Sequence, residues 1–102
     1  KKELRKNMEY SIQFLSDAIS DIEDAIDYYE SQQKGLGKRF TISLNETISY
    51  LLKSPDAFPF HAREIRKIPF KKFPYLLFYE VLNKEITVVA IFNTHQNPSK
   101  KP

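Results

Sequence analysis

The chain has only two glycines, Gly35 and Gly37, and they stand two residues apart in the window YYESQQKGLGKRF, residues 28–40. Their neighbours decide what they are for. Before them, Ala18, Ile19, Ile22, Ala25, Ile26 and Tyr29 recur at intervals of three and four, the pattern of an amphipathic helix with its acids outside. Ser16 and Asp17 are suited to cap its start. After them, Phe40, Leu44, Ile48, Leu51 and Leu52 form a second such stripe, which stops at Ser54-Pro55, where proline disfavours helix at the preceding residue. The Gly-Leu-Gly run therefore follows a helix, whereas a phosphate-cradling loop needs a strand before it and more glycines. The expectation is the elbow of a helical hairpin. Gly35 takes the left-handed position that ends a helix, and Gly37 begins the next with little steric demand.

The flanks of the hairpin look like strands. Tyr10, Ile12 and Phe14 alternate with polar residues, the period of a half-buried strand. After a proline-rich loop at 55–61, residues 61–68 alternate imperfectly, with Ile65 and Ile68 out of phase, so a strand with a bend or bulge is expected. YLLFYEVL (75–82) and EITVVAIF (85–92) are rich in β-branched and aromatic residues, and Asn83-Lys84 between them suits a two-residue hairpin turn. The tail from Asn93 is expected to be irregular and mobile. The fold class is thus α+β: a helical hairpin packed on a mostly antiparallel sheet, in the order β-α-α-β-β-β.

With 102 residues the chain makes one domain. Its expected extent is 8–98, with basic tails at 1–7 and 99–102 and with Met8 as a natural start. The absence of cysteine excludes disulfides, thiol chemistry and cysteine-bound zinc, and two histidines, His61 and His95, argue against a catalytic metal site. No apolar run reaches the ~18 residues of a membrane span. No apolar stretch follows the N-terminal charges as a signal peptide requires, so a cytoplasmic location is expected.

The net charge of +3 is unevenly spread. Residues 17–30 hold six acids and no base, while residues 61–72 hold Arg63, Arg66, Lys67, Lys71 and Lys72 against Glu64. Either these are two solvated faces of opposite sign, or the basic one is aimed at a polyanion or an acidic protein.

The runs AIDYYESQQKGLGKRF, EIRKIPFKKFPYLLFYEV and VVAIFNTHQNP, in this order and spacing, resemble the RelE/ParE superfamily of bacterial toxins from type II toxin–antitoxin systems, over about residues 9–98. The resemblance implies a small toxin held inactive by a cognate antitoxin encoded beside it. It also implies one of two targets. ParE-like members poison DNA gyrase; RelE-like members cleave mRNA in the ribosomal A site without a metal. Neither requires a small-molecule cofactor.

RNA cleavage without a metal needs a base for the 2′-hydroxyl, cations for the phosphate and an acid for the leaving oxygen. The resemblance points to Arg66, Lys67 and His95 as the candidate catalytic residues, with Arg63, Arg66, Lys67, Lys71 and Lys72 as the candidate binding surface and Glu80 or Tyr79 as helpers. His95 suits acid or base work because its ordinary pKa lies near neutrality. The opposing reading makes Tyr75 and Tyr79 strand aromatics, Arg66 and Lys67 a pairing surface, and His61 plain surface. Many family members carry His-x-x-Arg-x-Pro near the C-terminus. This chain has Asn93, Gln96 and Pro98 at those positions, and neither Asn93 nor Gln96 can carry charge or move a proton at neutral pH. Inhibition of a protein target such as gyrase is therefore the favoured expectation, the ribosome-dependent endonuclease the alternative, and a non-toxic interaction module the third.

Overall fold

The computed structural model describes residues 10–95. The elements run β1 (Ser11–Phe14), α1 (Ser16–Gln32), α2 (Leu36–Lys53), β2 (Phe60–Ala62), β3 (Ile65–Pro69), β4 (Tyr75–Leu82) and β5 (Glu85–Asn93). The strands form one five-stranded sheet in the order β1-β5-β4-β3-β2. β1 runs parallel to β5, and the other neighbours are antiparallel. This is the α+β arrangement expected from the sequence, with one parallel pair at its edge.

The elbow between the helices is held from within. Gly35 adopts φ +89°, the left-handed conformation expected of it. The Glu30 carboxylate accepts hydrogen bonds from the Gly35 N–H at 3.0 and 3.1 Å and from the Gly37 N–H at 3.0 Å. An acidic side chain of α1 thus occupies the N-terminus of α2, where the free N–H groups favour negative charge. Gly37 is not the undemanding residue the sequence suggested. A Cβ there would stand 3.0 Å from both the Glu30 Oε1 and the Ile26 carbonyl oxygen, so it is glycine because α1 lies against it. The start of α1 also differs from expectation. Leu15 holds the N-cap position in extended conformation without a side-chain cap, and Ser16 and Asp17 are already helical.

Two features of the sheet set the side-chain directions. Residues 61–68 form a tight hairpin rather than one bent strand: Ala62 pairs with Ile65, and Arg63 turns the corner at φ +51°. In β5 the register slips between the partners of Phe78 and Tyr79, which are Ala90 and Val88. Val89 is the extra residue of a β-bulge. Buried positions therefore change phase along β5, from Ile86 and Val88 to Ile91. The Asn83-Lys84 turn has both residues at positive φ, +51° and +66°, as a two-residue hairpin of this twist requires.

The core between helices and sheet centres on Phe40, which is fully buried. It stacks on Tyr29 and Phe70, each with ring centroids 5.4 Å away, and meets Phe73 and Tyr75 edge-on at 5.2 and 5.1 Å. Leu51, Leu77, Tyr79, Ile86 and Val88 continue it, all with no exposed surface. The chain end is tied down as far as it is described. The Thr94 N–H and hydroxyl both donate to the Pro74 carbonyl, at 2.7 and 3.1 Å. The expected mobile tail therefore does not begin at Asn93; Gln96 and the remainder of it, like residues 1–9, lie outside the described residues.

Candidate binding site

The basic residues singled out from the sequence are distributed over several places. Arg63 is exposed at the β2–β3 corner. Arg66 pairs with Tyr79 across β3 and β4. Its guanidinium donates to the Phe58 carbonyl at 2.7 Å and to the Asp56 carbonyl at 3.1 Å, lies 3.8 Å from the Asp56 carboxylate, and covers the Phe60 ring at 3.9 Å. It is a clamp on the loop between α2 and β2. Lys67 pairs with Phe78 and points to the opposite face, since neighbouring strand residues alternate. His61 is exposed on that face, its ring 4.7 Å from that of Phe78.

Lys71 donates to the Tyr50 hydroxyl at 2.9 Å and sits over its ring. That hydrogen bond is the first cause of its raised pKa, followed by the charge of Tyr50. Lys72 is held at φ +88° in the turn between β3 and β4, beside α2. His95 is exposed, and its backbone N–H donates to the Asn93 side-chain oxygen at 2.8 Å. Asn93 and His95 line one cleft of about 560 Å³ between α1 and the end of β5, with Asp21, Asp24, Tyr28 and Tyr75.

Tyr79, the aromatic hydroxyl considered as a helper, belongs to the core. Tyr79 is fully buried and donates to the Pro55 carbonyl at 2.7 Å, and burial pushes its pKa up to about 12. Burial is also the first cause that raises the pKa values of Tyr75 and Tyr29. Glu80 lies opposite Thr87, on the sheet face that carries Phe78 and Lys67.

Arg66, Lys67 and His95 do not converge. Arg66 stands beside Tyr79, whereas Asn93 stands beside Tyr75, four residues away along β4. That separation is roughly 13 Å along the strand, and His95 lies beyond Asn93. Lys67 faces the other side. Among the described residues, no group of histidines and carboxylates has the arrangement to hold a metal ion, and no helix is long and apolar enough to cross a membrane.

A second pocket, of about 370 Å³, went unnoticed in the sequence. It lies between α2 and the β3–β4 turn, where Arg39, Ser43 and Glu46 of the helix meet Lys72 and Phe73. The available signal was the polar series Arg39, Ser43, Glu46, spaced four and three residues apart beside the apolar stripe.

The arrangement of two helices on one mixed sheet is shared by solved toxins. A chain from the chromosomal ParDE toxin–antitoxin system of P. aeruginosa superposes with a TM-score of 0.76 at 16% identity, over 86% of this chain and 99% of that one. The isolated E. coli RelE toxin superposes with a TM-score of 0.63 at 19% identity, over 89% and 90%. These define the fold class. Residues 12–98 match the family described as the ParE toxin of type II toxin–antitoxin system, parDE, and the chain belongs to that family. The comparison with curated proteins gives no match.

Proposed function

We propose that this chain inhibits growth by binding a large protein target, DNA gyrase being the first candidate, and that an antitoxin encoded beside it neutralises it in the cytoplasm. Membership of the ParE toxin family supports a toxin with a dedicated antitoxin. The observation that carries the choice of mechanism is Arg66. A nuclease needs its cations free to meet phosphate, yet this guanidinium is engaged by two carbonyls, a carboxylate and a ring of its own chain. Lys67 faces away from it, and His95 lies in a different cleft. A binding toxin needs no such convergence. It needs exposed surface, and the helical hairpin offers Ile19, Tyr28, Ile42 and Tyr50, each between 44% and 54% exposed.

The test is a pulse-label after induced expression in a bacterial host, following thymidine and amino-acid incorporation separately. The expected result is early failure of DNA synthesis with a damage response. Collapse of protein synthesis first would establish the ribosome-dependent endonuclease instead, and no effect on either would remove the toxin reading.

A further inference from the structure

The wall of the pocket between α2 and the β3–β4 turn holds an unused hydrogen-bonding group, closed off from solvent. Ser43 is 2% exposed, and its hydroxyl has no partner. Its neighbours on α2 show what such a hydroxyl ordinarily does. Thr47 donates to the Ser43 carbonyl at 2.9 Å, and Thr41 to the Gly37 carbonyl at 3.2 Å. A buried hydroxyl left without a partner destabilises the chain that carries it. Ser43 lines the pocket with Arg39 and Lys72, two exposed cations. Neither side chain has a hydrogen bond or ion pair among the described residues. This sets them apart from Arg66 and Lys71, which the fold engages.

The remaining lining selects the anion. Glu46 brings one negative charge, part of which Lys71 opposes from the adjoining turn. The pocket is left with a net charge of about +1, which one carboxylate neutralises and which a dianion such as a phosphate monoester, at roughly −1.5 to −2, exceeds. Leu36, Ile42 and Phe73 supply apolar walls that a nucleic-acid backbone would leave uncovered. Lys72 is held there in a backbone conformation costly for any residue with a Cβ, and such outliers persist where the surroundings over-determine them.

We propose that this pocket is an anchor point for the antitoxin and receives one Asp or Glu side chain, carried beside an apolar residue of the partner. Arg39 and Lys72 flank the carboxylate, rotation of the Ser43 side chain brings its free hydroxyl to it, and the neighbouring apolar side chain covers Ile42. The assignment of the partner rests on the toxin reading above; the carboxylate chemistry rests on the pocket alone.

The probe is a capped Leu-Glu-Leu peptide, titrated at low ionic strength into the isotope-labelled chain and followed by its amide resonances. Saturable shifts are expected at Ile42, Ser43, Lys72 and Phe73. Lys72→Gln or Arg39→Gln should weaken binding about tenfold, as should replacing the peptide's Glu by Gln. Ser43→Ala should weaken it several-fold while leaving the melting temperature unchanged or higher, which a purely structural serine would not do. Equal binding of the Glu and Gln peptides, or shifts centred elsewhere, overturns the proposal. So does tighter binding of inorganic phosphate at the same resonances, which would make the pocket a phosphate site. Because this assay does not depend on growth inhibition, a chain that binds the peptide but is harmless to cells keeps the carboxylate pocket and loses only the antitoxin assignment.

Discussion

One atom of Glu30 both holds and crowds Gly37: the Glu30 Oε1 accepts the Gly37 N–H at 3.0 Å and lies the same distance from where a Cβ on residue 37 would stand. The two glycines of the elbow therefore resist substitution for different reasons. At Gly35 nothing lies within 4 Å, and the obstacle to alanine is the positive φ. At Gly37 the obstacle is the Ile26 carbonyl and the Glu30 side chain. Gly35→Ala should cost about 1 kcal/mol through backbone strain. Gly37→Ala should cost about 1–3 kcal/mol, because overpacking outweighs the better helix propensity of alanine. Glu30→Ala should cost about 1 kcal/mol through the lost hydrogen bonds. Urea unfolding of the three variants checks the order.

Alkaline pH should destabilise the protein through Tyr79. Its folded pKa of about 12 lies above the ordinary phenol value of 10.0, so the folded state favours the protonated form. The corresponding stability is fully present below pH 10 and is lost as pH rises through 12. The amount is about 2–3 kcal/mol. Tyr29 and Tyr75 shift in the same direction. Unfolding measured between pH 9 and about pH 12 should show a decline that is visibly shallower in Tyr79→Phe. That variant should itself lose about 1–2 kcal/mol at neutral pH, since it leaves the Pro55 carbonyl without its donor.

Arg66 should behave as a structural residue. Arg66→Ala removes the donors that hold the Asp56 and Phe58 carbonyls and should cost about 2 kcal/mol. Lysine cannot reproduce two donors together with stacking on Phe60, so Arg66→Lys should recover less than half of this. Any loss of growth inhibition in these variants should follow the loss of folded protein, measured by thermal melting beside the growth assay.

Ser43→Ala should stabilise the free chain by about 1 kcal/mol, because it removes an unpaired buried hydroxyl and improves helix propensity. For a domain of this size that is a rise in melting temperature of about 4–8 °C.

His95→Ala should leave growth inhibition intact. The side chain is exposed at the rim of a cleft, and the hydrogen bond that holds the residue is made by its backbone. A dose–response of growth against expression level checks this.

The helical hairpin was legible because local chemistry dictates it: two stripes of period near 3.6 and a glycine that can take positive φ. The β4–β5 hairpin was legible for the same kind of reason, since Asn83-Lys84 provides turn chemistry between two apolar runs. The corner at Arg63 was not, because an Arg-Glu pair carries no turn signal and the pairing with β3 imposes it. The bulge at Val89 was hidden because Val-Val-Ala-Ile is apolar in either phase. For the candidate site, the structure places Asn93 and His95 in one cleft, whose other wall comes from α1 and had no signal near them in the sequence. Arg66 and Lys67 were grouped through the family resemblance, but neighbours in a strand point to opposite faces. The Ser43 pocket showed only its helix half, the polar series Arg39, Ser43 and Glu46, since its other wall comes from a turn some thirty residues on.

The parallel pairing of β1 with β5 joins residues 74 positions apart, as in the Gln13–Thr87 hydrogen bond. On a ribosome the first strand must therefore wait for the last. The hairpin can begin to coil once residue 53 is free, but the sheet edge that β1 needs exists only after residue 88 has left the exit tunnel. Loops of that span close slowly. A nascent chain thus stays without the assembled surface described above until its fifth strand has emerged.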